Sequence, residues 1–251
     1  MCGSVGDDSL GDEYLRQFQS ELVSIDFMTK SAGFSTGIAS INVETSTGAN
    51  TIVVVAGANA NVDISLDDIA HQAVVEHIKR ARVLICQNEI PGASTLAALK
   101  IARSGSTLSI FNPAPASPNL VELVGASDIV CPNETELSTL TCLPTKTDEE
   151  IVAAADFLLS FGCNAVIVTL GERGAYLATK GKSVFIKTVP VAAVDSTGAG
   201  DSFIGTYGVH SADFLPLYGD SSTSLSQSIV FLSTQFIACM QTIDIEIRSS
   251  F

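Results

Sequence analysis

Short apolar runs alternate with amphipathic stretches through the middle of the chain, and that alternation sets the expected architecture. Residues 82–86, 107–111, 128–131 and 165–168 each read as a buried strand, and each is followed by a polar cluster. Between them, residues 94–103, a short segment near Leu120, residues 134–140 and residues 148–161 carry apolar side chains at helical spacing. Apolar strands separated by amphipathic helices predict parallel strands covered on both faces, an α/β fold. Ligands of such open sheets bind beyond the carboxyl ends of the strands. The clusters Gln87-Asn88-Glu89, Asn112-Pro113-Ala114-Pro115, Pro132-Asn133-Glu134-Thr135-Glu136 and Thr169-Leu170-Gly171-Glu172-Arg173-Gly174 therefore fall on one rim.

The flanks read differently. Residues 1–26 predict a short loop and then an amphipathic helix, with Asp12 and Glu13 near its start and Leu15, Phe18 and Leu22 at helical spacing. Residues 35–43 alternate, 44–50 are polar and 51–55 are apolar, which predicts two strands joined by a turn. A helix is expected over 67–82, with Asp67 as N-cap and Ile69, Val74, Val75 and Ile78 on its buried side. Residues 175–178 and 183–186 form a strand pair around Lys180-Gly181-Lys182. A helix opens at about Asp201, where Gly205 and Gly208 would let it pack closely on the sheet. A polar loop over 211–224 and an apolar helix over 225–240 follow. With no repeat and no linker, residues 1–251 are expected to form one domain, with 28–55 as a small strand-built appendage.

Composition narrows the function. Hydrophobic residues make up 46% of the 251 positions and charged ones 16%, so the chain is globular rather than disordered. A formal net charge of −14 argues against a nucleic-acid surface or an anionic membrane as partner. The six cysteines are scattered, without a C-x-x-C pair, and the three histidines cannot build a convincing zinc site. No signal peptide or membrane-length apolar run is visible, which predicts a reducing, cytoplasmic compartment.

Asp195-Ser196-Thr197-Gly198-Ala199-Gly200-Asp201 is the most informative stretch. Its glycines allow a tight turn, and a helix starting there directs unsatisfied N–H groups and a positive dipole end at an anion. Asp201, in the first turn, would place a proton acceptor beside that anion. The plain alternative is a Gly-rich turn with Asp201 as a cap, and the Asp at each end of the heptad favours the functional reading. Asn133 and Glu136 could hold hydrated Mg²⁺, or simply start a helix with acidic residues favoured by its dipole. Residues 169–174 suit a nucleotide loop or a turn into the next strand. Glu89 could accept hydrogen bonds from substrate hydroxyls or be a solvated loop residue. Glu44 and residues 148–150 read as solvated charge, and His71, His77 and His210 as residues without a role.

Taken together, these segments resemble the ribokinase family of sugar kinases. The resemblance runs in order through Gly6-Asp7-Asp8, Ala56-Gly57-Ala58-Asn59-Ala60, Asn112-Pro113-Ala114-Pro115-Ala116, the Asn133 and Thr169 clusters, and the Asp195 heptad. The Asn112 and Asn133 segments are more similar to the ribose-directed branch than to adenosine- or fructose-directed relatives. The resemblance implies a ribokinase-like three-layer α/β/α fold, with a mostly parallel central sheet and a small β lid. It also implies ATP-dependent phosphorylation of D-ribose at O5, with MgATP as phosphoryl donor. Asp201 would be the general base and contact the sugar, and the Gly198, Ala199 and Gly200 amides would form the anion hole. Glu89 would bind the sugar. Asn133 and Glu136 would reach phosphate and Mg²⁺, with Glu136 toward the metal. Thr169, Leu170, Gly171, Glu172, Arg173 and Gly174 would line the nucleotide. Asp195 and Thr197 would help hold a monovalent cation, usually K⁺.

Two departures from the family pattern stand out. The family's first strand with its Asn-x-Asp sugar contacts, its Gly-Gly-Lys-Gly-Ala-Asn turn and part of the lid have no counterpart, which predicts a chain lacking an N-terminal segment and carrying only a partial lid over 28–55. At the other end, residues 238–251 lack the glycine of the family's cation site. Homodimerisation through the lid is correspondingly in question. The alternatives to ribose phosphorylation are a nucleotide-binding pseudo-kinase remnant and a kinase of another small sugar or nucleoside.

Overall fold

The protein is seen here as a computed structural model, in which residues 1–43, 50–64, 69–189 and 198–214 are described. The chain divides into two compact units, one of residues 1–78 with 88–98 and the other of 79–87 with 99–251.

The second unit is built on a six-stranded sheet in the order β10-β9-β8-β7-β6-β5. β5 (Val83–Cys86), β6 (Leu108–Phe111), β7 (Ile129–Val130) and β8 (Ala165–Thr169) run parallel. β9 (Ala175–Thr179) and β10 (Lys182–Ile186) close the sheet as an antiparallel pair. Alternate strand residues point to opposite faces, and both faces are used. Ile110, Ile129, Ala165, Ile167 and Leu177 share a core with Phe203, Ile204 and Tyr207 of α7 (Ala199–Phe214). The other set, Phe111, Val130, Val166 and Val168, is fully buried. α5 (Glu134–Thr141) packs on β8, and α6 (Asp148–Leu159) on β8 and β9. β6, β7 and β8 are buried apolar runs as the sequence pattern predicts, whereas β5, last in the sheet order and expected to be buried like them, is only partly so, with Ile85 exposed. α4 (Val121–Ala126) is the short helix expected near Leu120. α3 (Gly92–Ser104) begins in the first unit and ends in this one.

At the starts of these strands Asp128 ties neighbours together. Its Oδ2 accepts the Ser109 N–H at 2.9 Å and hydroxyl at 2.7 Å, and its backbone carbonyl accepts the Asn164 N–H at 2.8 Å. The carboxyl ends, around Phe111, Val130 and Thr169, are left to the rim. At Gly208 α7 comes close to β5: a Cβ there would lie 2.9 Å from Ile85 Cδ1. The same test at Gly205 meets nothing within 4 Å among the described residues, so among them only Gly208 serves close packing.

The first unit departs from expectation at its start. Residues 2–6, expected as loop, form β1 (Cys2–Gly6), paired in parallel with β2 (Phe27–Ser31). Pairing across intervening sequence supplies what two glycines and a serine do not supply locally. α1 (Ser9–Ser20) follows as predicted. Asp8 caps it by accepting the Gly11 N–H at 2.8 Å, and also binds the Thr36 N–H at 2.8 Å and the Thr36 hydroxyl at 2.5 Å. These bonds hold its carboxyl below the usual carboxylate range. β3 (Ile38–Val43) and β4 (Asn50–Val55) are the two predicted strands, antiparallel in a sheet of their own. α2 (Ile69–Arg80) is the next helix, carrying His77, whose ring packs 5.0 Å from that of Phe27. Its expected cap, Asp67, and the helix expected over 225–240 lie outside the described residues. Among the described residues no helix is long and apolar enough to cross a membrane.

Candidate active site

The Gly-rich heptad does start a helix. Gly198 stands just before α7 with φ +73°, a left-handed conformation that L side chains avoid, and its carbonyl accepts the Ser202 N–H at 2.9 Å. The amides that open an α-helix have no carbonyl partner within it, which is what lets a helix start donate to an anion. Gly198, Gly200, Asp201 and Ile204 form one wall of a cavity of about 150 Å³. Asn112 and Ala114 after β6, Cys131 and Asn133 after β7, Glu136 of α5 and Thr169 at the end of β8 form the rest. The volume is roughly ten times the ~10–15 Å³ that one water needs, enough for a small polar group. The predicted rim is therefore real within this unit, and it converges on Asp201.

Asn133 and Glu136 serve the helix and the cavity at once. Asn133 Oδ1 accepts the Glu136 N–H, and Glu136 Oε2 accepts the Asn133 N–H, both at 2.8 Å, a reciprocal cap at the start of α5. The plain reading as a helix start thus describes their hydrogen bonds, while their position on the cavity wall is that expected of an anion or metal contact. Burial raises the Glu136 carboxyl above its ordinary value of 4.5, the Asn133 N–H partly offsets this, and the charge of Asp201 raises it further. Between 4.5 and the raised folded value, the native state keeps a proton that the unfolded chain has released, so this group's contribution to stability falls as pH rises through that window. Glu136→Gln retains an acceptor for the Asn133 N–H. It is expected to be more stable than the parent at pH 7, with the difference closing below about pH 4.5. Urea midpoints across pH measure this, and a gap independent of pH would contradict it.

Of residues 169–174, only Thr169 lines this cavity. Its N–H donates to the Pro132 carbonyl at 3.0 Å, and it bridges to Asn133 in parallel register. Leu170 is buried, and Gly171–Arg173 make a single 3-10 turn closed by Gly174. Glu172 is exposed. Arg173 donates to Asp148 Oδ1 at 2.9 Å and to Glu134, so its guanidinium fastens this turn to the starts of α5 and α6. Asp148, expected as solvated charge, is thus an ion-pair partner, and Glu150 forms a reciprocal cap with Thr147. Ala199 opens α7 without lining the cavity. Glu89 is exposed and belongs to the other unit. Asp195 and Thr197 lie outside the described residues.

Sequence reasoning missed a side chain in direct contact with Asp201. Gln87, the first residue after β5, donates from Nε2 to Asp201 Oδ1 at 3.0 Å. In the sequence it is one letter of a polar cluster; its place immediately beyond a predicted strand was the available signal. Cys131, buried at the end of an apolar run, also lines the cavity. Burial and the Glu136 charge push its thiol far above the ordinary thiol range, so it stays protonated and inert.

The sequence matches the pfkB family carbohydrate kinases over residues 1–217. The chain belongs to that family. It is 38% identical over 234 residues to the ribokinase of Mus musculus, covering 92% of this chain and 71% of that protein. It is 33% identical over 232 residues to the deoxyribokinase of Salmonella typhimurium, covering 92% and 73%. Among solved structures it is similar to Arabidopsis thaliana ribokinase complexed with ribose and ATP, with a TM-score of 0.80 and 28% identity, covering 96% of this chain and 75% of that one. The architecture is the ribokinase-like three-layer α/β/α fold with a mixed sheet. As a pfkB family member, the chain carries the framework of an ATP-dependent carbohydrate kinase.

Proposed function

We propose that this pfkB family protein transfers the γ-phosphoryl group of ATP to O5 of D-ribose. The observation that carries the reading is Asp201 in the first turn of α7, beside the amides that open that helix and on the same cavity as Asn133, Glu136 and Thr169. Asp201 accepts the proton of the sugar hydroxyl as its oxygen bonds to the γ-phosphorus, and the bond from that phosphorus to the bridging oxygen breaks to release ADP. The Gly198, Ala199 and Gly200 amides stabilise the charge spread over the transferring group; being fixed by the helix start, they need no reorganisation. Through the family resemblance alone, Glu89 is assigned to the sugar and residues 169–174 to the nucleotide.

Among the described residues no group of three or more His, Cys, Asp or Glu could cage a metal. One half-buried carboxylate, Glu136, beside Asn133 fits a Mg²⁺ that keeps most of its waters and arrives with the nucleotide. When bound, that ion neutralises phosphate charge. Asp195 and Thr197 are assigned to a K⁺ site through the family resemblance.

The test is coupled ADP release with MgATP and K⁺. Ribose-stimulated turnover is expected, and ADP release that no sugar stimulates would leave a nucleotide-binding protein without transferase activity. The similarity to a deoxyribokinase makes 2-deoxyribose the necessary second arm. A preference for it would keep the mechanism and change the substrate.

A further inference from the structure

We propose that Gln87 is a positioning residue that fixes the Asp201 carboxylate by donating to one of its oxygens and leaving the other for the substrate hydroxyl. The inference rests on Asp201 being the general base. It starts from a chain of amides whose polarity is determined from its far end. Asn112, a buried residue at the end of β6, donates from Nδ2 to the Cys131 carbonyl at 2.9 Å. Its Oδ1 must then face the other way, and it can only accept. Gln87 Nε2 approaches that oxygen at 3.4 Å and Asp201 Oδ1 at 3.0 Å. An amide nitrogen carries two hydrogens, so both contacts are met by the same group, and Gln87 presents a donor to Asp201 rather than an acceptor. A Gln87 oriented the other way would set two acceptors together at Asn112 and two more at Asp201.

The backbone supports the same geometry. The Asn112 N–H donates to the Cys86 carbonyl at 2.8 Å, which ties the end of β6 to the residue before Gln87. The brace therefore grows out of adjacent strand ends, rigid elements on which a first-turn carboxylate of α7 can be aimed. Asp201 itself is exposed, and such a carboxylate would otherwise sample several rotamers. Fixing Oδ1 selects one of them. Small misplacements of a reacting group are costly, on the order of 10²-fold for an error of about 1 Å.

Gln87→Met keeps length and volume and removes the donor. The expected result is a fall in kcat of about 10–100-fold, with KM for sugar and ATP within about twofold of the parent. In the Asp201→Asn background the same change is expected to cost nothing further, because Gln87 acts only through that carboxylate. A parent-like kcat in Gln87→Met, or an equal loss in both backgrounds, would overturn the proposal. Crystal structures of parent and variant give a readout that needs no turnover. Asp201 is expected in one rotamer in the parent and in more than one, or a different one, in the variant; an unchanged single rotamer would overturn the proposal. A parent and variant that differ in this way, with a parent that phosphorylates no sugar, would refute the kinase reading while keeping the brace.

Discussion

Asp201→Asn is expected to lower sugar-stimulated ADP release by about 10²–10⁴-fold, the usual worth of a positioned proton acceptor. The substitution is close to isosteric. The Asn oxygen can still accept from Gln87 Nε2, which lies 3.0 Å from Asp201 Oδ1, so the brace and the start of α7 survive. What disappears is the ability to take a proton from an attacking hydroxyl. The proposed nucleotide contacts do not include the Asp201 carboxylate, so ATP affinity, measured by calorimetric titration, is expected to stay within a few-fold of the parent. A variant that kept more than about a tenth of the parental rate would remove Asp201 as the base. A variant that lost ATP binding as well would point to a disturbed helix start instead.

The parallel core was legible because its strands are buried on both faces and so appear as unbroken apolar runs, as at Ala165–Thr169. β1 was not legible. Cys2–Gly6 carries two glycines and a serine, and only pairing with Phe27–Ser31, far along the chain, makes it a strand. The site shows the same division. Gly198, Gly200 and Asp201 announce a glycine-turned helix start by residue type and spacing alone, because the backbone conformation they need is local. The bond between Gln87 and Asp201 spans 114 residues and has no local signature. Arg173 is similar: beside Gly171 and Gly174 it suggests a nucleotide loop, yet its guanidinium is engaged by Glu134 and Asp148 from two other helix starts. Spacing identifies which backbone can cradle an anion, whereas the partners of long polar side chains depend on topology.

The two glycines at the start of α7 are expected to fail in different ways when replaced by alanine. Gly198 has φ +73°, where an L side chain costs roughly 1–2 kcal/mol. Gly198→Ala should therefore lower the urea midpoint and, by turning the first amides of α7, reduce kcat as well. Gly200 has no such constraint. It lies within the first turn, and a Cβ built there meets nothing within 4 Å among the described residues. Alanine is also the better helix former, by up to ~1 kcal/mol, so Gly200→Ala should leave stability unchanged or raise it. Gly200 also lines the cavity in which the phosphoryl group is proposed to lie. The added methyl group would hold an anion off the amides, at an expected cost on the order of 10²-fold in kcat, comparable to losing one anion-hole donor. A stable Gly200→Ala protein with parental kcat would show that the amides of α7 do not face the transferring group. A stable but slow one would locate the anion at this helix start, because among the described residues the added methyl group meets nothing else.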